Sequence, residues 1–173
     1  MFTRSVLILA FAAAPAFAQA SGSSQVDNAR LLWDGVRGYI TDAAAEVPES
    51  MYSYRPTPEV RTFGELIGHI AGSQKMFCAW ALGDKAPAED AVEKAATKKA
   101  ALVAALKESN DYCTRAYKLK DAALTGMVDM FGQQRSKLFV LLENAAHDNE
   151  HYGNIVTYMR LNKMVPPSSK PAK

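Results

Sequence analysis

Three histidines are the residues of this chain whose type and spacing most favour chemistry. They are His69, His147 and His151, and the sequence contains no others. The last two are four residues apart, so a helix there would place both imidazoles on one face, one turn apart. Because His69 lies in a separate predicted helix, packing of the two helices could supply it as a third ligand. Three neutral imidazoles with an open position are typical of a catalytic transition-metal site rather than a closed structural one.

The same residues have plainer interpretations. A single helical histidine is commonly exposed or hydrogen-bonded in a core, and an i, i+4 pair can arise by chance, which would leave a structural bundle without metal. Residues 147–151 also fit the H-x-x-E-H pattern of inverted zinc peptidases. No Asp or Glu follows Glu150 to complete that ligand set, so the spacing does not define a peptidase.

The last predicted helix carries a concentrated polar face around its two histidines. Its members are Glu143, His147, Glu150, His151, Asn154 and Tyr158. Glu150 could act as a general base beside a metal, and it could equally be a surface residue. Glu143 and Glu65 each precede a histidine by one turn, so either could orient an imidazole or complete its coordination. Asn154, on the same face as His151, is a further candidate for orienting that ring.

The N-terminus has the three parts of a secretory signal peptide. Arg4 supplies the positive region, residues 6–14 are apolar, and 16–18 and 18–20 both fit the small-x-small cleavage pattern. We therefore predict that residues 1–20 are cleaved and that the mature protein is exported, with a Gram-negative periplasm as the expected destination. The apolar run is too short to span a bilayer, and no later segment offers about 20 apolar residues without charge, so no membrane attachment is expected after cleavage.

Charge and length narrow the class of protein further. Removing residues 1–20 takes away Arg4, which leaves 19 basic against 18 acidic side chains. Near-neutral, interspersed charge gives no field that would attract nucleic acid or an anionic membrane, so a small molecule is the expected partner. The remaining length suits one domain with a real core, which we place at residues 21–165. The proline-rich residues 166–173 are expected to form a disordered tail.

Apolar periodicity predicts an all-α protein. Residues repeat at threes and fours in four segments, and no segment shows sustained period-two alternation. The predicted helices span about 27–47, 62–83, 97–118 and 133–162. Pro48 ends the first, and Thr62 with Glu65 forms a capping box at the start of the second. Four helices of this length in one small domain predict a four-helix bundle.

Two cysteines bear on the direction of the helices. In an oxidising compartment Cys78 and Cys113 could form a disulfide, whereas the alternative is two buried apolar thiols. Each lies near the C-terminal end of its predicted helix, so a bond requires the second and third helices to be parallel. Residues 83–96 are long enough to cross back along the bundle. We favour this up-down-down-up arrangement.

Several stretches together resemble the DinB/YfiT-like superfamily, whose members are four-helix proteins regarded as metalloenzymes. The similarity covers most of residues 27–167. The stretches that carry it are Tyr54–Arg61, Gly64–Ala71, His147–Asn154, Tyr158–Asn162 and Val165–Ser169. The resemblance implies a metal held by His69, His147 and His151, an up-down-down-up bundle and, in many members, a homodimer. Some members transfer substrates onto low-molecular-weight thiols such as bacillithiol or mycothiol, or isomerise substrates through them.

These observations lead to one main hypothesis and one alternative. The main hypothesis is an exported metal-dependent enzyme, a hydrolase or a thiol or group transferase, that holds divalent Zn, Ni, Fe or Mn on the three histidines. The export signal argues against a cytosolic thiol cofactor. The alternative is a non-catalytic periplasmic bundle that binds a metal or a small ligand through the same residues.

Overall fold

Four long helices make up most of the described chain. A computed structural model describes residues 24–171, and the predicted signal peptide at residues 1–20 lies outside this range. The elements in chain order are α1 Gln25–Glu46, a 3-10 turn Glu49–Met51, α2 Phe63–Leu82, α3 Ala91–Ala95, α4 Lys99–Ala116, α5 Asp121–Leu124, β1 Met127–Met130, β2 Gln133–Ser136, α6 Lys137–Leu161 and a 3-10 turn Pro167–Ser169. The predicted all-α class is confirmed. Within residues 24–171, no helix combines the length and apolar character needed to cross a membrane.

Local sequence signals set the ends of the helices. The α1 helix stops at Val47, because Pro48 disfavours helical geometry in the residue before it. The predicted capping box at the start of α2 is present: the Thr62 hydroxyl accepts from the Glu65 amide, and the Glu65 carboxylate accepts from the Thr62 amide. Gly83 ends α2 with a φ of 84°. This left-handed conformation favours glycine at the end of a helix.

Contacts along the helices give their directions. The α2 and α4 helices are parallel, since Gln74 Nε2 donates to Asn110 Oδ1 at 3.2 Å and, further along both helices, Cys78 and Cys113 form a disulfide. The α1 and α6 helices both run opposite to α2. For α6, His147 lies beside Ser73, while Tyr158, further along α6, bonds back to Arg61 just before α2. Trp33 of α1 bonds to Gln74, while Tyr52, just before α2, bonds back to the end of α1. Relative to α2, therefore, α4 is parallel and α1 and α6 are antiparallel.

The bundle interior consists of two apolar clusters with a polar layer between them. One cluster surrounds Ile67 and Ile155, and the other surrounds Trp33, whose indole stacks on Tyr117 with ring centroids 4.4 Å apart. The fully or nearly buried polar residues of the layer are Ser73, Gln74, Ser109, Asn110, Asn144 and Asp148. The histidines lie at the edge of this layer, so the buried polar side chains are concentrated midway along the bundle.

A short hairpin lies between the third and fourth of the predicted helices. The β1 and β2 strands pair antiparallel from Met127 opposite Ser136 to Met130 opposite Gln133. Phe131 and Gly132 both have positive φ, which suits a tight two-residue turn. Ser136 then caps α6 by accepting from the Phe139 amide, so the helix begins at residue 137 rather than near 133. A four-residue strand pair is too short for period-two alternation to reveal it.

The described part of the C-terminal segment, residues 166–171, packs on the bundle, whereas residues 166–173 were predicted to form a disordered tail. Pro167 is buried, and the Ser168 amide donates to the Tyr152 hydroxyl at 2.9 Å. Lys170 also reaches Glu46 of α1 at 2.6 Å. The ring of a proline restricts φ in advance and so favours this turn. Burial of Pro167 against the bundle then stabilises the segment.

Candidate metal centre

The structure brings all three histidines to one point between α2 and α6. His147 Nε2 lies 3.2 Å from His69 Nε2 and 3.1 Å from His151 Nε2. One nitrogen from each ring falls within 4.8 Å of the others. His69 and His151 are buried and the His147 side chain is 15 % exposed, so the cluster is open to solvent at one side.

Two glycines of α2 let a loop lie directly on the helix beside His69. A Cβ on Gly68 would lie 2.8 Å from the Glu93 Cα, and one on Gly72 would lie 2.0 Å from the Glu89 carbonyl oxygen. Both distances are far below van der Waals contact, so only glycine permits this approach. The segment that enters and forms α3 therefore passes next to the histidines and presents two carboxylates to them.

Each imidazole has a polar neighbour at its other ring nitrogen. Glu93 Oε2 lies 3.7 Å from His69 Nδ1, Ser73 Oγ lies 3.4 Å from His147 Nδ1, and the Asn154 amide lies 3.4 Å from His151 Nδ1. Groups at this nitrogen fix the tautomer and turn the opposite nitrogen toward a metal. Ser73 Oγ can accept from His147 Nδ1, which leaves the Nε2 atom of that ring unprotonated. Within the described residues His69 Nδ1 has no hydrogen bond, and the Asn154 amide suits a metal-binding His151 only when its oxygen, rather than its nitrogen, faces the ring.

The electrostatic setting keeps the imidazoles neutral. Burial lowers the pKa of His69 to about 4, and the positive Arg61 acts in the same direction. Burial also lowers the pKa of His147 to about 3, with His151 and His69 adding to the effect. The pKa of His151 is lowered as well, again chiefly by burial. At neutral pH each ring thus keeps a lone pair available for coordination.

This donor set fits a divalent transition ion. The Nε2 atoms of the rings face one another at 3.1 and 3.2 Å. Lone pairs of neutral imidazoles at such a separation repel each other unless a cation or proton lies between them. Nitrogen ligands with bonds of about 2.0–2.1 Å around a tetrahedral ion are separated by about 3.3 Å. Two of the three separations are close to this value, and the third lies within 4.8 Å.

A polar cleft adjoins the histidine cluster. Its volume is about 710 Å³, and it is lined by Pro56, Thr57, Glu59, Val60, Arg61, Leu66, Glu93, Glu150, His151, Asn154, Thr157 and Tyr158. The Tyr158 hydroxyl donates to the Arg61 carbonyl at 2.7 Å, which fixes one wall. The predicted candidates Glu150 and Asn154 both line this cleft next to His151. A small molecule in the cleft can therefore reach the cluster from the His151 side.

Two residues predicted to orient the histidines do not do so. Glu65 is held by the capping box, and its carboxylate also lies 3.3 Å from Arg55. Glu143 lies in a shallow depression beside Phe131 and Arg135 of the hairpin region. Among the contacts of residues 24–171, neither carboxylate pairs with a histidine of the cluster. A spacing of one turn places a residue on the right face of a helix, but competing partners decide where its side chain goes.

Sequence reasoning missed Glu89, Glu93 and Ser73. The sequence does contain a signal, since Gly68 and Gly72 flank His69 at a four-residue spacing typical of close helix contacts. That pattern indicates a close approach without identifying the segment that makes it. The approaching carboxylates are distant in sequence and follow no motif.

Asp148 is a buried carboxyl group that faces away from the cleft. It is fully buried, and neither of its carboxyl oxygens has a hydrogen-bond partner within the described part of the chain. Burial raises its pKa well above the usual value, and the nearby Trp33 indole opposes this effect weakly. Burial therefore disfavours the charged form of the Asp148 carboxyl group.

The fold and the histidine cluster together define a four-helix bundle protein with a candidate three-histidine centre. A family model described as the DinB superfamily matches residues 32–155, and the chain belongs to this superfamily. The predicted family is confirmed.

Several solved structures share the fold. A DinB-like protein from Bacillus cereus superposes with a TM-score of 0.69 at 17 % identity, covering 82 % of this chain and 95 % of that one. YjoA, a DinB-like protein from Bacillus subtilis, gives 0.57 at 19 % identity, covering 84 % and 99 %. A mycothiol-dependent maleylpyruvate isomerase gives 0.60 at 16 % identity, covering 76 % of this chain and 59 % of that one. No curated protein matches the sequence.

Proposed function

We propose that this protein is an exported metal-dependent enzyme, a hydrolase or a thiol or group transferase. Its centre would be a divalent ion held by His69, His147 and His151. The observation that carries the proposal is the convergence of three Nε2 atoms beside a polar cleft. Three neutral imidazoles suit Zn, Ni, Fe or Mn, and the choice among these ions depends on coordination geometry and availability.

The residues around the centre have separate roles in this proposal. A divalent ion supplies acidity to a bound water or thiol by lowering its pKa. Glu150 is exposed in the cleft beside His151, so its carboxylate would accept the proton that the nucleophile releases. Ser73 would hold the tautomer of His147 by accepting from its Nδ1. Glu93 would do the same for His69 by closing the 3.7 Å gap to Nδ1, and Asn154 would do so for His151 with its amide oxygen turned to the ring.

The nucleophile would come from outside the chain. Cys78 and Cys113 are both fully buried and bonded to each other, so neither offers a thiolate to the cleft. Water would give hydrolysis, and a small thiol would give group transfer. The chain shares its fold with a mycothiol-dependent isomerase, and this likeness supports including thiol-dependent group transfer in the proposal.

The same proposal includes export to the periplasm. Residues 1–20 carry the signal pattern, and a disulfide persists in oxidising compartments. The substrate would be a small molecule, and neither nucleic acid nor a membrane is proposed as a partner. A homodimer would cover Leu31 and Leu32 of α1, which are 67 % and 58 % exposed.

Metal analysis tests the proposal directly. The mature protein, purified without chelators, should contain about one transition ion per chain, as expected for a single three-histidine site. Protein that is purified free of metal and then fails to bind added Zn, Ni, Mn and Fe would contradict the proposal. A structural bundle would then be the better interpretation.

The Glu150→Gln substitution should separate an enzyme from a passive binder. We expect turnover to fall by about 100-fold or more, because general base catalysis contributes about that much, while metal content stays unchanged. The measurement is turnover of a hydrolysed or thiol-conjugated substrate alongside elemental analysis. Glu59→Gln, which removes the same charge from the cleft wall, serves as the control. Equal turnover in the wild type and Glu150→Gln would show that Glu150 is not the base, whereas a metal-loaded wild type without turnover would favour the non-catalytic binding protein.

Metal affinity should resist acidification more than an ordinary histidine site does. Protons compete with metal only below the pKa of the ligands, and burial lowers that pKa to about 4 for His69 and about 3 for His147. We therefore expect affinity to hold from neutral pH down to about pH 5, whereas unshifted histidines with a pKa of about 6.5 would lose metal sooner. Titration with a competing chelator at several pH values between neutral pH and about pH 5 measures the metal affinity and tests this expectation. A steep loss beginning at about pH 6.5 would show that the rings are not shielded.

A further inference from the structure

A carboxylate from the loop before α3 lies among the histidine nitrogens. Glu89 Oε1 is 3.7 Å from His69 Nε2 and 3.8 Å from His147 Nε2. These are the same two atoms that face each other within the cluster. We propose that Glu89 is a fourth, anionic ligand of the divalent ion, which makes the centre a three-histidine, one-carboxylate site. This inference rests on the proposed metal-dependent function.

The backbone around Glu89 is fixed on the helix that carries His69. Its carbonyl oxygen lies against Gly72, where no other residue would fit. Immediately after it, Asp90 pairs with Lys94 across the single turn of α3. Glu93 binds Arg61 at 3.0 and 3.2 Å and so ties α3 to the segment before α2. The loop therefore delivers the Glu89 side chain to the cluster from a defined position.

The two carboxylates of this segment face different sides of the imidazoles. Glu93 faces His69 Nδ1 and is neutralised by Arg61, which suits an orienting role. Glu89 faces the Nε2 atoms, where the ion would bind, and its side chain is 41 % exposed. A movement of less than about 1 Å would bring its oxygen to the separation expected between neighbouring ligands.

The placement of Glu89 leaves the cleft side of the ion free. His151 and Glu150 line the cleft, whereas Glu89 does not. A carboxylate at this position would offset part of the ion's charge while the substrate enters from the cleft. Four protein ligands would close a tetrahedral ion to substrate, so the arrangement favours an ion that accepts five or six ligands, such as Fe, Mn or Ni.

Comparison of Glu89→Gln with Asp90→Asn tests the proposal. Both changes remove one negative charge near His69, but the Asp90 carboxylate is occupied by Lys94. In chelator competition, Glu89→Gln should lose more than about tenfold in affinity for Ni and Zn. Even loss of a residue that only orients a ligand costs about tenfold, so loss of a ligand should cost more. Asp90→Asn should change affinity less than about threefold. The visible spectrum of the Co-substituted protein should change in Glu89→Gln alone.

A second pair of variants tests how the loop packs on α2 while leaving the Glu89 carboxylate unchanged. Gly72→Ala would place a methyl group 2.0 Å from the Glu89 carbonyl oxygen and push the loop away, whereas Gly38 in α1 has open space. Gly72→Ala should therefore reproduce the affinity loss and the Co spectrum of Glu89→Gln, and Gly38→Ala should match the wild type. Circular dichroism checks that each variant is folded.

The outcomes separate this inference from the proposed function. Wild-type affinity and an unchanged Co spectrum in Glu89→Gln would overturn the fourth ligand and leave the three-histidine centre intact. Failure of the wild type itself to bind Ni, Zn or Co would overturn both. Equal losses in Glu89→Gln and Asp90→Asn, with unchanged spectra, would overturn the ligand role, because the effect would then be general electrostatics.

Discussion

Replacement of His147 by alanine should abolish stoichiometric metal binding. His147 Nε2 lies 3.2 Å from one neighbouring Nε2 and 3.1 Å from the other, so it is the ligand that links the pair. Its loss leaves only His69 on α2 and His151 on α6 as imidazole ligands. We expect the affinity for Zn and Ni to fall by more than about 100-fold. Loss of a residue that only orients a ligand costs up to about 100-fold, and loss of a ligand itself should cost more. Elemental analysis after dialysis measures the result.

Thermal unfolding gives an independent readout of the same substitution. Metal that binds the folded state stabilises it, by about 2.7 kcal/mol when the free ion is at about 100 times its dissociation constant. The melting temperature of the wild type should therefore rise with added Zn or Ni, while that of His147→Ala should not.

Asn149→Ala is the matched control for this experiment. Asn149 is exposed on the same helix two residues away, and its side chain bonds to the Ala145 carbonyl instead of the cluster. Metal content and metal-dependent stabilisation should both match the wild type. Retention of one tightly bound ion by His147→Ala would mean that the histidine cluster is not the metal site.

The histidine cluster was predictable because two helices carry it and each helix has a regular period. An i, i+4 pair must share a face, and His69 falls at the edge of an apolar stripe that must pack inward. The capping box likewise specified the start of α2 from Thr62 and Glu65 alone. Local patterns suffice where neighbours in sequence are also neighbours in space.

The carboxylates around the cluster were not predictable on the same basis. Glu89 and Glu93 reach His69 through a loop whose path is set by contact with Gly68 and Gly72. Such a contact depends on tertiary packing, and no periodicity encodes it. Glu65 shows the reverse case, because its position one turn before a histidine is right while its carboxylate is already bound by Thr62 and Arg55.

Removal of the disulfide should destabilise the protein by about 4 kcal/mol, because cross-linking a loop of this length restricts the unfolded chain by about that amount. Cys78 and Cys113 are 35 residues apart in sequence. A domain of this size loses about 2–4 °C of melting temperature per kcal/mol, so the Cys78→Ala, Cys113→Ala variant should melt about 10 °C lower. Denaturant and thermal unfolding of both proteins under oxidising conditions measure the difference.

Reduction of the wild type provides the control for this prediction. Reduced wild type should unfold at the lower temperature of the double variant, and the double variant should not respond to reductant. The bond joins α2 to α4 more than two helical turns beyond His69, so metal affinity should change little in protein that remains folded. If reduction left the wild-type melting temperature unchanged, the cross-link would not be contributing to stability. If it lowered stability as expected, the protein would be more stable in an oxidising compartment, which is the condition that the proposed export provides.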